Sequence, residues 1–255
     1  MFLTKLSPYS IVYKLYETRL HKEISKYPPP KHIAIIMDGN RRYAVQKGME
    51  SRVGHIFGAK KLSDLLEWIY DAKIEILTVY AFSNENFKRP KEEVDQLMDI
   101  FEEKFLEFAE NETVHKYKVK IKAIGRLESL PSKVQKAIDI AEEATKDYSD
   151  KLFHVAIGYA GRAEIVDAIK SIVRDKKSEE EINEKLISKY LYTNGSSDPD
   201  LIIRTSGEER LSGFLLWQSA YSEFYFADFF FPAFRKIDLW RAIRTYQRRD
   251  RRYGK

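Results

Sequence analysis

Five short apolar runs, at 32–38, 74–82, 117–125, 152–160 and 199–205, are separated by longer segments whose apolar residues recur every three or four positions. That alternation constrains the fold more than any other feature of the chain. Continuous apolar runs suit strands buried on both faces, and helical segments between them suit crossovers that join parallel strands. Helices are predicted over 54–72, 90–114, 131–148, 163–175, 178–191 and roughly 238–249. The fold class that follows is α/β: a single domain with a mainly parallel central sheet flanked by helices. No internal repeat, low-complexity tract or linker divides it.

Residues 1–27 read as an N-terminal amphipathic helix with Ile11, Leu15, Tyr16, Leu20 and Ile24 on one stripe, ended by the prolines of "YPPP" at 27–30. The organisation expected is a helix and proline-rich connection over 1–29, then the main domain over 30–255. A helix docked on that domain and a helix touching a membrane surface both fit the stripe. No apolar stretch reaches the length of a membrane span. Lys5, Lys14, Glu17 and Arg19 interrupt any secretory leader.

The chain has no cysteine, which excludes disulfides, thiol catalysis and thiolate metal sites and permits an intracellular compartment. Lysine and arginine number 44 against 39 acidic residues, a net charge of +5, but the distribution is uneven. The last fifteen residues, "RAIRTYQRRDRRYGK", are dense in arginine, whereas 92–112 is acidic. A basic patch of this kind suits nucleic acid, a membrane face or a polyanionic small molecule.

Ligands of parallel sheets bind beyond the carboxyl ends of the strands, and three of these ends carry polar clusters: "DGNRR" (38–42), "FSNENFKRP" (82–90) and "RTSGEERLSGF" (204–214). In the first, Asp38 is the sole acid. One carboxylate is enough for a hydrated magnesium ion when phosphates supply the other oxygens. The amides of Gly39 to Arg42 open a helix, which favours anions. Arg41, Arg42, Arg52 and His55 add charge-assisted donors, so the cluster reads as a diphosphate–magnesium pocket, an Asp/Asn-capped turn with solvated arginines being the alternative. In the second, Ser83, Asn84, Glu85 and Asn86 lie between Phe82 and Phe87, with Arg89 following. Small polar groups between aromatics suit an apolar substrate with a charged head. In the third, Arg204, Arg210 and Ser212 match phosphate geometry.

The stretches "HIAIIMDGNRRYA", "GH" at 54–55, "LTVYAFSNENFKRP", "DLIIRTSGEERLSGFLLWQSAYSEFYF" and the terminal "RRYG" resemble the cis-prenyltransferases, the undecaprenyl or dehydrodolichyl diphosphate synthase family, across residues 31–254. The resemblance implies a magnesium-dependent enzyme that lengthens an allylic diphosphate, farnesyl or geranylgeranyl, with isopentenyl diphosphate. Each new double bond is cis, and the polyprenyl diphosphate product is a glycosyl carrier lipid precursor. It implies that Asp38 holds Mg2+ and that Gly39, Asn40, Arg41, Arg42, Tyr43 and His55 cradle the allylic diphosphate. Ser51 occupies the family's arginine position there, with Arg52 one residue later. Ser83, Asn84, Glu85 and Asn86 would adjoin the condensing carbons, the proton going either to Asn86 or to the departing diphosphate. Phe82 and Phe87 would be aromatic walls and Arg89 a diphosphate contact. Arg204, Arg210, Leu211 and Ser212 would bind isopentenyl diphosphate, with Glu223 a second carboxylate near the metal. Arg252 and Gly254 would complete the site of a neighbouring subunit in a homodimer. A cytoplasmic enzyme, at or near the membrane face, is the expected setting. Val94, Leu97, Met98, Phe101, Phe105 and Phe108 in the 90–114 helix suit either a tunnel for the growing chain or ordinary sheet-facing core.

Competing readings explain less. A phosphohydrolase of the haloacid dehalogenase type needs an aspartate where Ile36 stands, and a trans-prenyltransferase needs Asp-Asp-x-x-Asp motifs that are absent. A basic nucleic-acid-binding protein accounts for the tail but leaves Asp38 and Asn86 idle. A non-catalytic subunit of a two-chain cis-prenyltransferase typically lacks the aspartate and the asparagine–arginine cluster, both present here.

Overall fold

β1 (His32–Ile36) is buried along its whole length, with Ile33 and Ile35 in the core on one face of the sheet and Ala34 and Ile36 in the core on the other. The computed structural model describes residues 8–249. Around β1 the sheet has six strands, all parallel, in the order β3-β4-β2-β1-β5-β6. The other strands are β2 (Ile76–Ser83), β3 (Val119–Ile124), β4 (Lys151–Tyr159), β5 (Leu201–Thr205) and β6 (Glu223–Ala227). The five predicted strands are all present.

The helices are α1 (Pro8–Ile24), α2 (Asn40–Gln46), α3 (Val53–Asp71), α4 (Lys91–Glu110), α5 (Glu112–Lys116), α6 (Ser132–Ala144), α7 (Gly161–Arg174), α8 (Glu184–Tyr190) and α9 (Lys236–Gln247). The single helix predicted over 90–114 is two, because the Asn111 side chain accepts from the amides of Thr113 and Val114 and caps a new helix. The helix predicted over 178–191 is a 3-10 turn followed by α8, which Asn183 caps through the Leu186 amide. β6 was not predicted as a strand. It pairs with β5 through an irregular connection over 206–222 rather than a helix, and most of it is only half-buried.

α1 docks on α9 by its C-terminal half. Leu20 and Ile24 are buried, the His21 and Trp240 rings lie 5.3 Å apart, and Gln247 Nε2 donates to the carbonyls of Ile24, Tyr27 and Pro28. Leu15 and Tyr16, expected on the docked stripe, remain exposed, and the side chain of Ile11 lies outside those described. Among the described residues no helix is long and apolar enough to cross a membrane.

The chain leaves β1 toward β2 on one side and β5 toward β6 on the other. The connections therefore diverge between β1 and β5, which opens a crevice at their carboxyl ends.

Candidate active site

Asp38 stands at that crevice, two residues past β1. Gly39 turns the chain with φ 95°, and a Cβ there would meet Phe230 Cδ1 at 2.5 Å, so only glycine fits. Its amide donates to Asp38 Oδ1 at 2.6 Å. From β5, Arg204 Nη2 donates to Asp38 Oδ2 at 2.8 Å, and Thr205 Oγ1 donates to the Asp38 carbonyl at 2.7 Å. Arg42 Nη2 reaches Oδ1 at 3.3 Å from the first turn of α2. Burial pushes the Asp38 carboxyl up, but Arg204, Ser206 and the Gly39 amide together outweigh it and hold the group below the usual carboxylate range.

The open cavity in front of Asp38 measures about 640 Å³. Its lining takes Asp38, Gly39, Asn40, Arg41, Arg42 and His55 from the first cluster, Phe82, Ser83, Glu85, Asn86 and Arg89 from the second, and Arg204 and Ser212 from the third. The three polar strand ends thus converge. Arg204 links two of them: its Nη1 donates to Ser212 Oγ at 2.8 Å, while its Nε is buried without a protein partner. Ser212 adopts φ 50°, a left-handed backbone that non-glycine residues hold only under constraint from their surroundings.

Two carboxylates outside the expected site residues organise the cations. Glu93, in the first turn of α4, accepts from Arg89 Nη1 at 3.0 Å, lies 3.2 Å from His55 Nε2 and pairs with Arg41 at 3.6 Å. Burial, the largest influence, keeps the His55 pKa low despite Glu93, so the imidazole is neutral at pH 7. Glu208 pairs with both Arg42 and Arg210. Acidic residues in a helix's first turn and in a charged loop look like ordinary surface partners in a sequence, which is why neither stood out.

Several expected residues sit elsewhere. Tyr43 packs edge-on against Phe57, Leu211 packs in the core behind the sheet, and Phe87 backs Phe82 at 4.8 Å instead of facing the cavity. Asn84 belongs to the 3-10 turn and, like Arg210, is not part of the cavity lining. Arg52 pairs with Glu50 and, with Ser51, borders a neighbouring depression that also takes in Glu93. Asn86 Oδ1 accepts from the Ser83 amide at 3.0 Å, closing a capping box. That bond uses one of the two lone pairs of the oxygen and fixes the side chain at the cavity lining. Arg252 and Gly254 lie outside the described residues.

Glu223 requires a correction. It is the first residue of β6, in register with Leu201 and, through β5, with Ile33. Asp38 lies five residues past Ile33, about 15 Å along the strands. Within one chain the two carboxylates occupy opposite ends of the sheet, and Glu223 pairs there with Arg249.

Among the described residues no group of three or more metal-ligating side chains occurs. Asp38, 29% exposed and facing a cavity rich in arginine, fits Mg2+ held jointly with phosphate oxygens and water, and does not fit an all-protein metal cage.

Behind the mouth a small apolar cavity continues between α3 and α4, sharing Met37, Asn40, His55, Ala81 and Leu97 with the open one and reaching Phe105 and Phe108. Gly54 and Gly58 let α2 lie against α3: a Cβ on Gly54 would fall 1.9 Å from the Asn40 carbonyl oxygen.

Residues 36–254 match the family model described as putative undecaprenyl diphosphate synthase. The chain is 52% identical, over 96% of its length and 92% of the relative's, to the tritrans,polycis-undecaprenyl-diphosphate synthase (geranylgeranyl-diphosphate specific) of Methanopyrus kandleri. It is 53% identical to the enzyme of the same name from Methanocaldococcus jannaschii, over 96% of this chain and 89% of that one. The crystal structure of lavandulyl diphosphate synthase from Lavandula x intermedia, in complex with dimethylallyl diphosphate, superposes with a TM-score of 0.83 at 34% identity, covering 91% of this chain and 100% of that one. A probable undecaprenyl diphosphate synthase from Campylobacter jejuni gives a TM-score of 0.75 at 34% identity, covering 90% of this chain and all of that one.

Proposed function

The chain belongs to the undecaprenyl diphosphate synthase family, and we infer from its site that it is a cis-prenyltransferase that lengthens geranylgeranyl diphosphate with successive isopentenyl diphosphate units. The relatives named above are specific for that primer. The observation that carries the reading is Arg204, whose guanidinium joins Asp38 on β1 to Ser212 on the β5 connection. Two diphosphates need adjacent anion sites, and this side chain borders both.

In each addition the bond between the allylic carbon and its diphosphate oxygen breaks. A carbon–carbon bond forms to the terminal alkene carbon of isopentenyl diphosphate, and a proton leaves C2, the methylene between the former alkene and the carbon that bears the diphosphate. Negative charge builds on the departing oxygens. Gly39 to Arg42 at the start of α2, with Arg89 and neutral His55, face that group and stabilise the charge without reorganising. Mg2+, held by Asp38, neutralises part of the same charge when bound. Arg204 and Ser212 hold isopentenyl diphosphate. Because the neutral Asn86 amide is a poor base, the departing diphosphate is the proton acceptor in this reading. The apolar cavity between α3 and α4 takes the hydrocarbon.

A homodimer is part of this reading, because the resemblance gives Arg252 and Gly254 a role in a neighbouring subunit's site. Arg249, paired with Glu223, lies at the amino end of the sheet, away from Asp38. The exposed Val12 and Leu15 of α1 support contact with the cytoplasmic face of a membrane, where a polyprenyl product partitions. A non-catalytic role is disfavoured because Asp38, Asn86 and Arg89 all line one cavity.

The test is elongation by the purified chain with labelled isopentenyl diphosphate, Mg2+ and either geranylgeranyl or farnesyl diphosphate. A cis-polyprenyl product, formed faster from geranylgeranyl diphosphate, is expected. Absence of any lipid product at all magnesium concentrations would remove the enzyme reading.

A further inference from the structure

The apolar cavity between α3 and α4 encloses about 60 Å³. A cavity of about 150 Å³ is what takes one benzene. The space is therefore too small for even one five-carbon unit, and a polyprenyl chain enters only if α3 and α4 move apart. What holds them together decides how far.

Two polar links join these helices on either side of the cavity. At the mouth His55 of α3 meets Glu93 of α4. At the other end Ser63 of α3 donates to Glu107 Oε1 of α4 at 3.1 Å, and Lys104 of α4 binds Glu107 and reaches Ser63 Oγ at 3.4 Å. Between the links the facing side chains are apolar: Gly58, Ala59 and Leu62 against Leu97, Ile100 and Phe101. Eight residues of α3 separate its two linking positions and fourteen of α4 separate its own, about 12 and 21 Å of helix. Lys104 is two turns beyond Leu97, about 10 Å deeper than the mouth. Its side chain is only 17% exposed, and it lines the cavity while its ammonium is held in the seam.

We propose that Ser63, Lys104 and Glu107 form a clasp that limits the separation of α3 and α4 and thereby sets the length of the polyprenyl product. This rests on the cavity being the hydrocarbon compartment. As the chain lengthens it wedges the apolar stretch apart. The mouth link stays shut because the bound diphosphate orders its neighbours, so the load falls on the far clasp. Parting it exposes Glu107, which is already 37% exposed and rehydrates readily, and strips Lys104 of its partners. Elongation slows where that cost outweighs burial of the next isoprene unit.

Product mass spectra of three variants test this, each with its melting temperature checked against wild type. Lys104→Met keeps the stem and its bulk but removes the clasp, and Ser63→Ala removes only the hydroxyl. Both are expected to shift the product distribution longer by at least one isoprene unit, Lys104→Met more. Ala59→Leu fills the compartment and is expected to shorten the products. Unchanged lengths from Lys104→Met alongside shortening by Ala59→Leu would overturn the clasp and leave the compartment standing. Unchanged lengths from both would overturn the compartment and the clasp with it.

Discussion

Arg204 Nη2 lies 2.8 Å from Asp38 Oδ2, an ion pair in which the arginine side chain is 5% exposed and the aspartate 29%. The pair spans two adjacent parallel strands, β1 and β5, at the point where their onward connections diverge. The same guanidinium donates to Ser212, so one planar fork sets the spacing of the two anion sites. A lysine offers a single charged nitrogen and cannot repeat that geometry.

Arg204→Lys is therefore expected to lower kcat by about a hundredfold or more, the size seen when one prearranged donor is lost from a site of developing charge. Steady-state kinetics with both substrates varied check this. A change confined to the isopentenyl diphosphate KM would make Arg204 a binding residue alone.

Glu93 holds Arg89, Arg41 and His55 at the cavity mouth, with its own side chain 13% exposed. Glu93→Gln keeps the size and a weak acceptor but frees the two arginines. The KM for the allylic diphosphate is expected to rise about tenfold, equivalent to about 1.4 kcal/mol, with a smaller effect on isopentenyl diphosphate. Equal effects on the two substrates would contradict this placement.

The strands were legible because buried parallel strands have few alternatives to continuous apolar runs. Asp38 and Arg204 were legible because they interrupt those runs where the strands end. β6 was not, since a half-exposed strand reached through an irregular connection carries neither the period of two nor a preceding helix. The separation of Glu223 from Asp38 within one chain was hidden for a related reason: adjacency to a recognised motif does not say which end of a strand a residue occupies. Arg52 and Phe87 sit within motifs but turn away, Arg52 to Glu50 and Phe87 behind Phe82. Direction of that kind is decided by packing, not by spacing.

Inside the sheet His32 bonds Thr78 Oγ1 at 2.7 Å, and Thr78 in turn lies 3.3 Å from His154 Nδ1. Burial pushes the His32 pKa down to about 4 and that of His154 to about 3. The unfolded chain, with histidines near 6.5, binds more protons than the native one below that pH. The stability these groups support is therefore complete above pH 6.5 and is lost as pH falls toward 4, by about 3 kcal/mol for His32 alone. The urea midpoint should already drop between pH 6.5 and 5, above the range where paired carboxylates titrate. A flat midpoint across that interval would mean that the histidines are not buried neutral.

The most direct test of the site is binding of geranylgeranyl diphosphate to wild type and Asp38→Ala, titrated with and without Mg2+, on protein shown by melting to be folded. Magnesium is expected to tighten binding to the wild type at least tenfold, about 1.4 kcal/mol, to leave Asp38→Ala unaffected, and to support turnover only in the wild type. An equal gain from magnesium in the variant, or turnover at the wild-type rate, would show that this carboxylate is not what joins the metal to the leaving group.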